Sequence, residues 1–197
     1  CIMTSSDNNN FSNNNISDLK QSGVYVRGNS ENNKFENLTI FNVTKAGFNI
    51  STADYNSVVN NTIADVALGY YFFNSSVGEY AFDSAYIVVE NTNGRIDFQN
   101  HSINAYGENF SNVVDLSFNK VFVNGTKDAG FNVTANMTLR GLSYTVPIVE
   151  IDYEDDGTYV KCRDCEIINN SPYVVFNVTH FTSYRIEENY TALNITV

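Results

Sequence analysis

The sequence is poor in proline, glycine and charge. Its 197 residues include two prolines and eleven glycines, which excludes a collagen-like or linker-like composition. Charged residues make up 17% of the chain, and 22 acidic residues against 11 basic ones give a formal net charge of −11. This shortage of positive charge disfavours nucleic acids and anionic membrane surfaces as partners. The sequence also lacks any apolar run of about 18 residues, so no membrane-spanning segment is predicted.

Apolar residues are plentiful. Hydrophobic residues account for 43% of the chain and aromatic residues for 14%, which is enough for packed cores and excludes a disordered chain. A length of 197 residues fits one large domain or two small ones.

Asparagine-rich segments repeat along the first 76 residues. Runs centred on Ile16, Ile40 and Ile63, which are 24 and 23 residues apart, are each followed by a glycine and a second apolar-alternating run. No apolar stripe of helical period lies between the runs, and Val, Ile, Phe, Tyr and Thr dominate them. The period therefore predicts strands that stack coil upon coil.

The repeat fixes a register for the stacked coils. It predicts three interior columns: Ile16, Ile40 and Ile63; Val24, Phe48 and Tyr70; Val26, Ile50 and Phe72.

The register also makes predictions for the asparagines and for the start of the chain. It aligns Asn13, Asn37 and Asn60, which we expect to form a hydrogen-bonded amide ladder. Extended backwards, it pairs Phe11 with Phe35 and Ile2 with Val26, and it places Cys1 inside a strand beside Tyr25. Because the first residue is not Met and lies within a strand, we expect the chain to be a fragment or a processed piece.

The second half shows a different pattern. From about residue 85, short alternating runs are separated by turn signals such as Asn93-Gly94 and Asp156-Gly157, which is typical of an antiparallel sandwich. Residues 77–86 read as a degenerate fourth coil or a linker. The predicted fold class is therefore all-β, with parallel β-helix coils over residues 1–80 and a β-sandwich over residues 81–197.

Both halves resemble known families. The pattern N-x-F-x-N-N-x-I followed by G-h-x-h, where h is apolar, resembles the right-handed parallel β-helix repeats of NosD-type and related carbohydrate-associated surface proteins. Segments 94–98, 121–124, 131–142 and 175–184, together with a Cys-x-x-Cys pair, resemble a β-rich module of large secreted archaeal surface proteins. The resemblances imply a right-handed β-helix, a cell-surface location and an architectural or adhesive role, and they bring no catalytic residue.

Asn-x-Ser/Thr motifs, which are acceptors for N-linked glycans, also indicate a location outside the cell. Sixteen occur in the chain, whereas its 31 asparagines and 32 serines plus threonines in random order predict about five. The excess predicts a secreted protein with N-linked glycans. A strand that alternates polar and apolar residues also produces the sequence Asn-Val-Thr, whether or not the asparagine is glycosylated. Asn37 and Asn60 are expected to be bare because they belong to the predicted ladder, and Asn169 because Pro172 follows its acceptor motif. The predicted glycan carriers are Asn10, Asn15, Asn42, Asn49, Asn74, Asn100, Asn109, Asn124, Asn132, Asn136, Asn177, Asn189 and Asn194.

Cys162 and Cys165 form the sharpest local motif. A structural zinc site needs four ligands, and no second cysteine pair accompanies this one. A local disulfide is the leading interpretation, with free thiols and a metal site as alternatives. The sequence predicts no cofactor, apart from a weak calcium possibility in the acidic turn with Asp152, Glu154 and Asp156.

The sequence favours a structural function over an enzymatic one. Neither a nucleophile–base pair nor a cluster of acids and bases on one face is apparent. We therefore expect a subunit or segment of an extracellular filament, stalk or surface layer, joined through β-strand edges to copies of itself. In a head-to-tail polymer the strand-like residues 190–197 would pair with the first coil of the next copy. The alternative is an adhesin that binds glycan or protein through exposed aromatics, for which the candidates are Tyr71, Phe73 and Tyr80.

Overall fold

The computed structural model describes residues 2–73 and 77–189. In these ranges the chain is all-β, as predicted, with two short 3-10 helices as its only helical segments. Strands of the first half are β1 Ile2–Thr4, β2 Asn10–Ser12, β3 Asn15–Leu19, β4 Val24–Arg27, β5 Lys34–Glu36, β6 Thr39–Ser51, β7 Asn56–Val59 and β8 Thr62–Phe73.

The remaining strands follow without a long helix between them. They are β9 Val77–Ser84, β10 Val88–Glu90, β11 Gly94–Asp97, β12 Ile103–Gly107, β13 Val114–Ser117, β14 Lys120–Val123, β15 Ala135–Leu139, β16 Pro147–Asp152, β17 Val160–Lys161, β18 Glu166–Asn169, β19 Val174–Val178 and β20 Ser183–Glu188. The 3-10 helices are Phe110–Asn112 and Ala129–Phe131.

The first half is a solenoid of about three turns built from parallel strands. β2, β5 and β7 stack in one sheet, while β3 and β4 stack on β6, which stacks on β8. All three predicted interior columns are confirmed. Ile16 pairs with Ile40, which pairs with Ile63. The other two columns pair in the same way: Val24, Phe48 and Tyr70; Val26, Ile50 and Phe72. Like residues repeat because each apolar side chain packs on its equivalent one strand spacing away.

The register at the first strand differs from the prediction by one residue. Ile2 pairs with Tyr25 rather than with Val26, although Phe11 pairs with Phe35 as expected. The turn between β1 and β2 is one residue shorter than the next equivalent turn, so the 24-residue spacing does not extend back through it. Cys1 lies outside the described residues.

The asparagine ladder is real but lies in another column. The Oδ1 of Asn56 accepts hydrogen bonds from the backbone N–H and the Nδ2 of Asn33, at 3.1 and 3.0 Å. The Oδ1 of Asn33 accepts the same pair of bonds from Asn9, at 2.9 and 3.0 Å. The predicted members, Asn13, Asn37 and Asn60, instead occupy exposed turn positions with φ of 56°, 52° and 52°. Asn37 and Asn60 were expected to carry no glycan because they were predicted to belong to the ladder, and that reason is therefore wrong.

A partial fourth turn continues the solenoid past residue 76. β9 pairs in parallel with β7, and β10 pairs in parallel with β8. Residues 77–86 thus form a degenerate coil rather than a linker. The predicted boundary between residues 80 and 81 falls inside β9.

The second half is antiparallel, and one of its sheets continues a sheet of the solenoid. β10 pairs with β11, and the same sheet continues through β15, β19 and β18. A separate antiparallel sheet has the order β13-β14-β20-β16-β17. Phe176 of β19 meets Tyr184 of β20 at a ring-centroid distance of 6.2 Å, so the two sheets share a core.

Aromatic side chains close the far end of the solenoid. Phe110, from the first 3-10 helix, lies 5.2 Å from Phe72 and 5.7 Å from Phe82 between ring centroids. Phe131, from the second 3-10 helix, lies 5.9 Å from Phe82 and 5.6 Å from Phe98. β12 also covers the edge of β9. The core is therefore continuous from the coils into the antiparallel half.

Candidate functional site

The near end of the solenoid has three open strand edges. Among the described strands, β1 pairs only with β4, β2 only with β5, and β3 only with β6. Unpaired strand edges present rows of backbone donors and acceptors that template pairing with another chain. This end is therefore the strongest candidate for an assembly site, and we call the edges of β1, β2 and β3 together the first-coil edge.

Backbone hydrogen bonds show which groups of the first-coil edge are unused. Lys34 donates to the Asn9 carbonyl at 2.8 Å, and Thr39 donates to the Asn14 carbonyl at 2.9 Å. One coil later, Ser57 and Thr62 repeat these two bonds at 2.8 Å. By the same register the N–H groups of Asn10 and Asn15 point away from the solenoid, where the described chain provides no coil to receive them.

The apolar interior is also uncovered at this end. An open cavity of about 270 Å³ lies there. Phe11 and Ile16 are partly exposed, whereas Phe35 and Ile40, their equivalents in the next coil, are fully buried. The cavity is lined by Phe11, Asn14, Asn15, Ile16, Val24, Phe35 and Leu38.

Cys162 and Cys165 form a disulfide, with their Cα atoms 5.6 Å apart. The bridge closes the turn between β17 and β18, which belong to different sheets. It therefore pins the crossover of the chain from one sheet to the other. Asp164 lies 3.3 Å from the Cys162 sulfur and 3.6 Å from His180, but sulfurs held in a disulfide are not thiolate ligands for a metal.

The acidic turn uses its carboxylates to hold its own backbone. The buried Asp152 accepts hydrogen bonds from the N–H groups of Asp156 and Gly157, at 3.2 and 2.7 Å. Asp156 in turn accepts from the Thr158 N–H at 2.9 Å. Glu154, the remaining calcium candidate, is exposed. Two of the three calcium candidates thus act as turn-forming acceptors.

The glycan acceptors fall into two groups by exposure. Asn74 and Asn194 lie outside the described residues. Asn10, Asn15, Asn42, Asn100, Asn109 and Asn132 are exposed, as are the three acceptors that were expected to be bare, Asn37, Asn60 and Asn169. Asn49, Asn124, Asn136, Asn177 and Asn189 are partly buried.

The three aromatic candidates for a binding surface differ in exposure. Tyr80 is 2% exposed, and its hydroxyl donates to Asp128 at 2.8 Å. Tyr71 and Phe73 are partly buried. The aromatics that are exposed lie on separate elements: Phe41, Tyr55, Tyr86, Tyr106, Phe118, Tyr153 and Tyr173.

A charged network that no sequence pattern predicts lies where the parallel strands meet the antiparallel ones. Glu90 accepts from the Tyr71 hydroxyl at 2.5 Å, pairs with Arg95 at 3.3 Å and forms an ion pair with Arg140. Arg95 also pairs with Asp97 at 2.7 Å. Glu90 and Arg140 come from other segments, and the pairing of β11 with β10 and with β15 brings them to Arg95.

The network shifts the titration of its members. Burial alone would raise the pKa of Glu90, but hydrogen bonds from Tyr71 and Arg140 outweigh burial and hold that pKa below its ordinary value. Burial and the Glu90 carboxylate raise the pKa of Tyr71 to about 12. The carboxylate and the neutral phenol are therefore the stable forms at neutral pH.

Replacing Glu90 by glutamine is expected to lower the free energy of unfolding by about 2 kcal/mol near pH 7, because two guanidinium groups lose their shared carboxylate. Since the pKa of Glu90 is depressed, its contribution is present above the ordinary carboxyl pKa and is lost as pH falls through the folded-state value. Urea unfolding curves from pH 7 down to pH 3 should show the wild type and Glu90→Gln converging. Glu108→Gln, at an exposed position, is the control, and an equal loss there would contradict the assignment.

No protein-family model matches the chain, and comparisons with curated proteins and with solved structures give no significant match. No helix in residues 2–73 and 77–189 is long and apolar enough to cross a bilayer.

Proposed function

We propose that this chain is a structural segment of an extracellular filament, stalk or surface layer, joined to its neighbours through β-strand edges, without a catalytic role. The observation that carries the proposal is the first-coil edge, where three strands leave their outer hydrogen-bonding groups unpaired over an uncovered apolar cavity. The far end of the same solenoid is closed by aromatics and by β12. Within residues 2–73 and 77–189, unpaired coil edges therefore occur at one end of the solenoid, and such edges are suited to joining.

The proposal includes an oxidising, extracellular location with N-linked glycans, and it retains the resemblance to archaeal surface proteins. Its support is the Cys162–Cys165 disulfide and the excess of acceptor motifs, several of which are exposed. Disulfides persist mainly outside the cytosol.

The proposal also covers the finer architecture. We assign the coils to a right-handed β-helix, as the resemblance implies, and the antiparallel half to a β-sandwich. Contact between Phe176 and Tyr184 across the two antiparallel sheets supports the sandwich. The head-to-tail arrangement uses residues 190–197 as the mating strand, and those residues lie outside the described ranges.

Electron microscopy of native material, with glycopeptide mapping of the same sample, tests the function. Regular fibres or a lattice, with glycans on the exposed acceptors, are expected. Isolated single copies that bind a glycan array would contradict the structural role and favour the adhesin. Unmodified acceptors throughout would contradict the glycosylated, extracellular part of the proposal.

A further inference from the structure

We propose that the first sugar of a glycan on Asn124 occupies a pocket between two turns of the antiparallel half and ties these turns together. One turn is formed by residues 124–127, and the other is the acidic turn. The inference rests on the proposed function because it requires the N-linked glycans that the proposal includes. It goes further because it gives one glycan a binding site on the protein and a structural role.

The side-chain amide of Asn124 is held in one orientation. Its Oδ1 accepts a hydrogen bond from the backbone N–H of Lys127 at 2.8 Å. A backbone N–H can donate only to the oxygen of an amide, so the orientation of this amide is defined. Within the described residues, Asn124 forms its hydrogen bonds through its backbone N–H, its carbonyl and its Oδ1. The Nδ2 is therefore the group that is left to carry a glycan.

The acceptor motif of Asn124 occupies a surface turn. The carbonyl of Asn124 accepts a hydrogen bond from the N–H of Asp128 at 3.0 Å, which closes the turn. Thr126, the hydroxyl residue of the motif, is exposed. The acceptors Asn136 and Asn177 lie within strands instead. Because glycosylated motifs are found on surface loops, the turn at Asn124 is well placed for modification.

Glycosylation joins the Asn124 Nδ2 to C1 of the first sugar. The donor is a lipid-linked sugar phosphate, and its C1–O bond to the phosphate breaks as the Nδ2–C1 bond forms. One Nδ2 proton is transferred to the phosphate leaving group, and the other stays on the nitrogen. The Oδ1 keeps its lone pairs, so the hydrogen bond from Lys127 is compatible with the modification.

A pocket of about 440 Å³ is lined by Asn124. The end of β14 and the turn at residues 124–127 form one side, and residues 153–155 and 181–182 form the other. The volume lies in the range of sites that hold a small ligand. A sugar on Asn124 is thus attached at the wall of a pocket whose opposite wall is the acidic turn.

The acidic turn supplies groups that suit a neutral sugar ring. Tyr153 is 54% exposed, and its ring offers an apolar face to the C–H groups of a sugar. That ring lies parallel to the ring of His180, at an interplanar angle of 10° and a centroid distance of 6.2 Å. The carboxylates of Glu154 and Asp155 can accept hydrogen bonds from sugar hydroxyls. Asp155 is held in place by the hydroxyl of Ser183, which donates to it at 2.5 Å.

Glycopeptide mapping and NMR of the native glycoprotein test the position of the sugar. A glycan is expected on Asn124, and the protons of its first sugar should be shifted upfield by the ring current of Tyr153. Tyr153→Ala should abolish this shift and leave Asn124 glycosylated. A glycan on Asn124 whose first sugar shows no such shift would overturn the inference.

Amide hydrogen exchange in the acidic turn tests the structural role. The N–H groups of Asp156 and Gly157 donate to Asp152 at 3.2 and 2.7 Å, and a sugar that holds the turn should slow their exchange about tenfold. The reference is Thr126→Ala, which removes the acceptor motif but keeps Asn124 itself. Equal exchange rates in the wild type and in Thr126→Ala would also overturn the inference.

Thr134→Ala is the matched control, because it removes the neighbouring acceptor motif at Asn132. The Oδ1 of Asn132 accepts a hydrogen bond from the N–H of Phe181 at 2.9 Å, and Phe181 lines the pocket. Thr134→Ala should leave the sugar shift and the exchange rates unchanged. Loss of both in this variant would assign the pocket to the glycan of Asn132 and contradict the proposal.

The outcomes separate this inference from the proposed function. Glycans on the exposed acceptors together with an unmodified Asn124 would refute the inference and leave the proposed function intact. Isolated single copies with the sugar of Asn124 in the pocket would refute the structural assembly and support the inference. Unmodified acceptors throughout would refute both the inference and the glycosylated location, and the presence or absence of fibres would still decide the structural role.

Discussion

Replacing Asn56 by leucine is expected to lower the free energy of unfolding by about 3–5 kcal/mol, because the change leaves several buried polar groups without partners. The Asn56 Oδ1 receives both N–H donors of Asn33, and its Nδ2 donates to the Ser30 carbonyl at 2.9 Å. All three residues have no exposed surface, so water cannot replace the lost bonds without opening the solenoid. Leucine has the same number of side-chain heavy atoms in the same branched arrangement, so the substitution removes hydrogen bonds without creating a cavity.

Urea unfolding monitored by circular dichroism measures this loss. The dependence of the unfolding free energy on urea concentration is compared between the variant and the wild type. Asn104→Leu is the matched control, since Asn104 is exposed on β12, and it should change stability by less than about 0.5 kcal/mol. Equal stabilities for the wild type and Asn56→Leu would show that the ladder contributes nothing to stability.

Replacing Phe131 by alanine is expected to cost about 3–5 kcal/mol and to destabilise both halves of the chain together. Phe131 has no exposed surface, and its ring lies within 6.0 Å of Tyr80, Phe82, Phe98 and Phe110, measured between centroids. These neighbours come from the last coil and from the antiparallel half, so the cavity would form where the two halves share their core.

The cooperativity of unfolding tests that shared core. Thermal unfolding followed by amide exchange in β6 and in β15 should give one transition, shifted to lower temperature by Phe131→Ala at both positions. Phe118→Ala is the control, because Phe118 is 67% exposed and should shift the midpoint little. Loss of protection confined to β15 would instead mean that the solenoid folds independently of the antiparallel half.

The all-β class, the coil period and the three interior columns could be predicted from residue patterns alone. A repeat of apolar residues identifies stacked positions because every coil must bury the same face on its neighbour. The same repeat could not tell which asparagines face inward. Asn9, Asn33 and Asn56 lie at or beside the start of a strand and hydrogen-bond from coil to coil, whereas Asn13, Asn37 and Asn60 adopt left-handed turn geometry and face solvent.

The way in which the two halves join, and the end at which the described solenoid leaves strand edges unpaired, follow from contacts between distant segments. The network of Tyr71, Glu90, Arg95 and Arg140 depends on β10 pairing in parallel with β8 on one side and antiparallel with β11 on the other. The aromatic closure of the far end depends on Phe110 and Phe131, which are distant in sequence from the coil residues they cover. Local patterning carries no information about such long-range pairing, because alternation gives the face of a side chain and not its neighbour across the sheet.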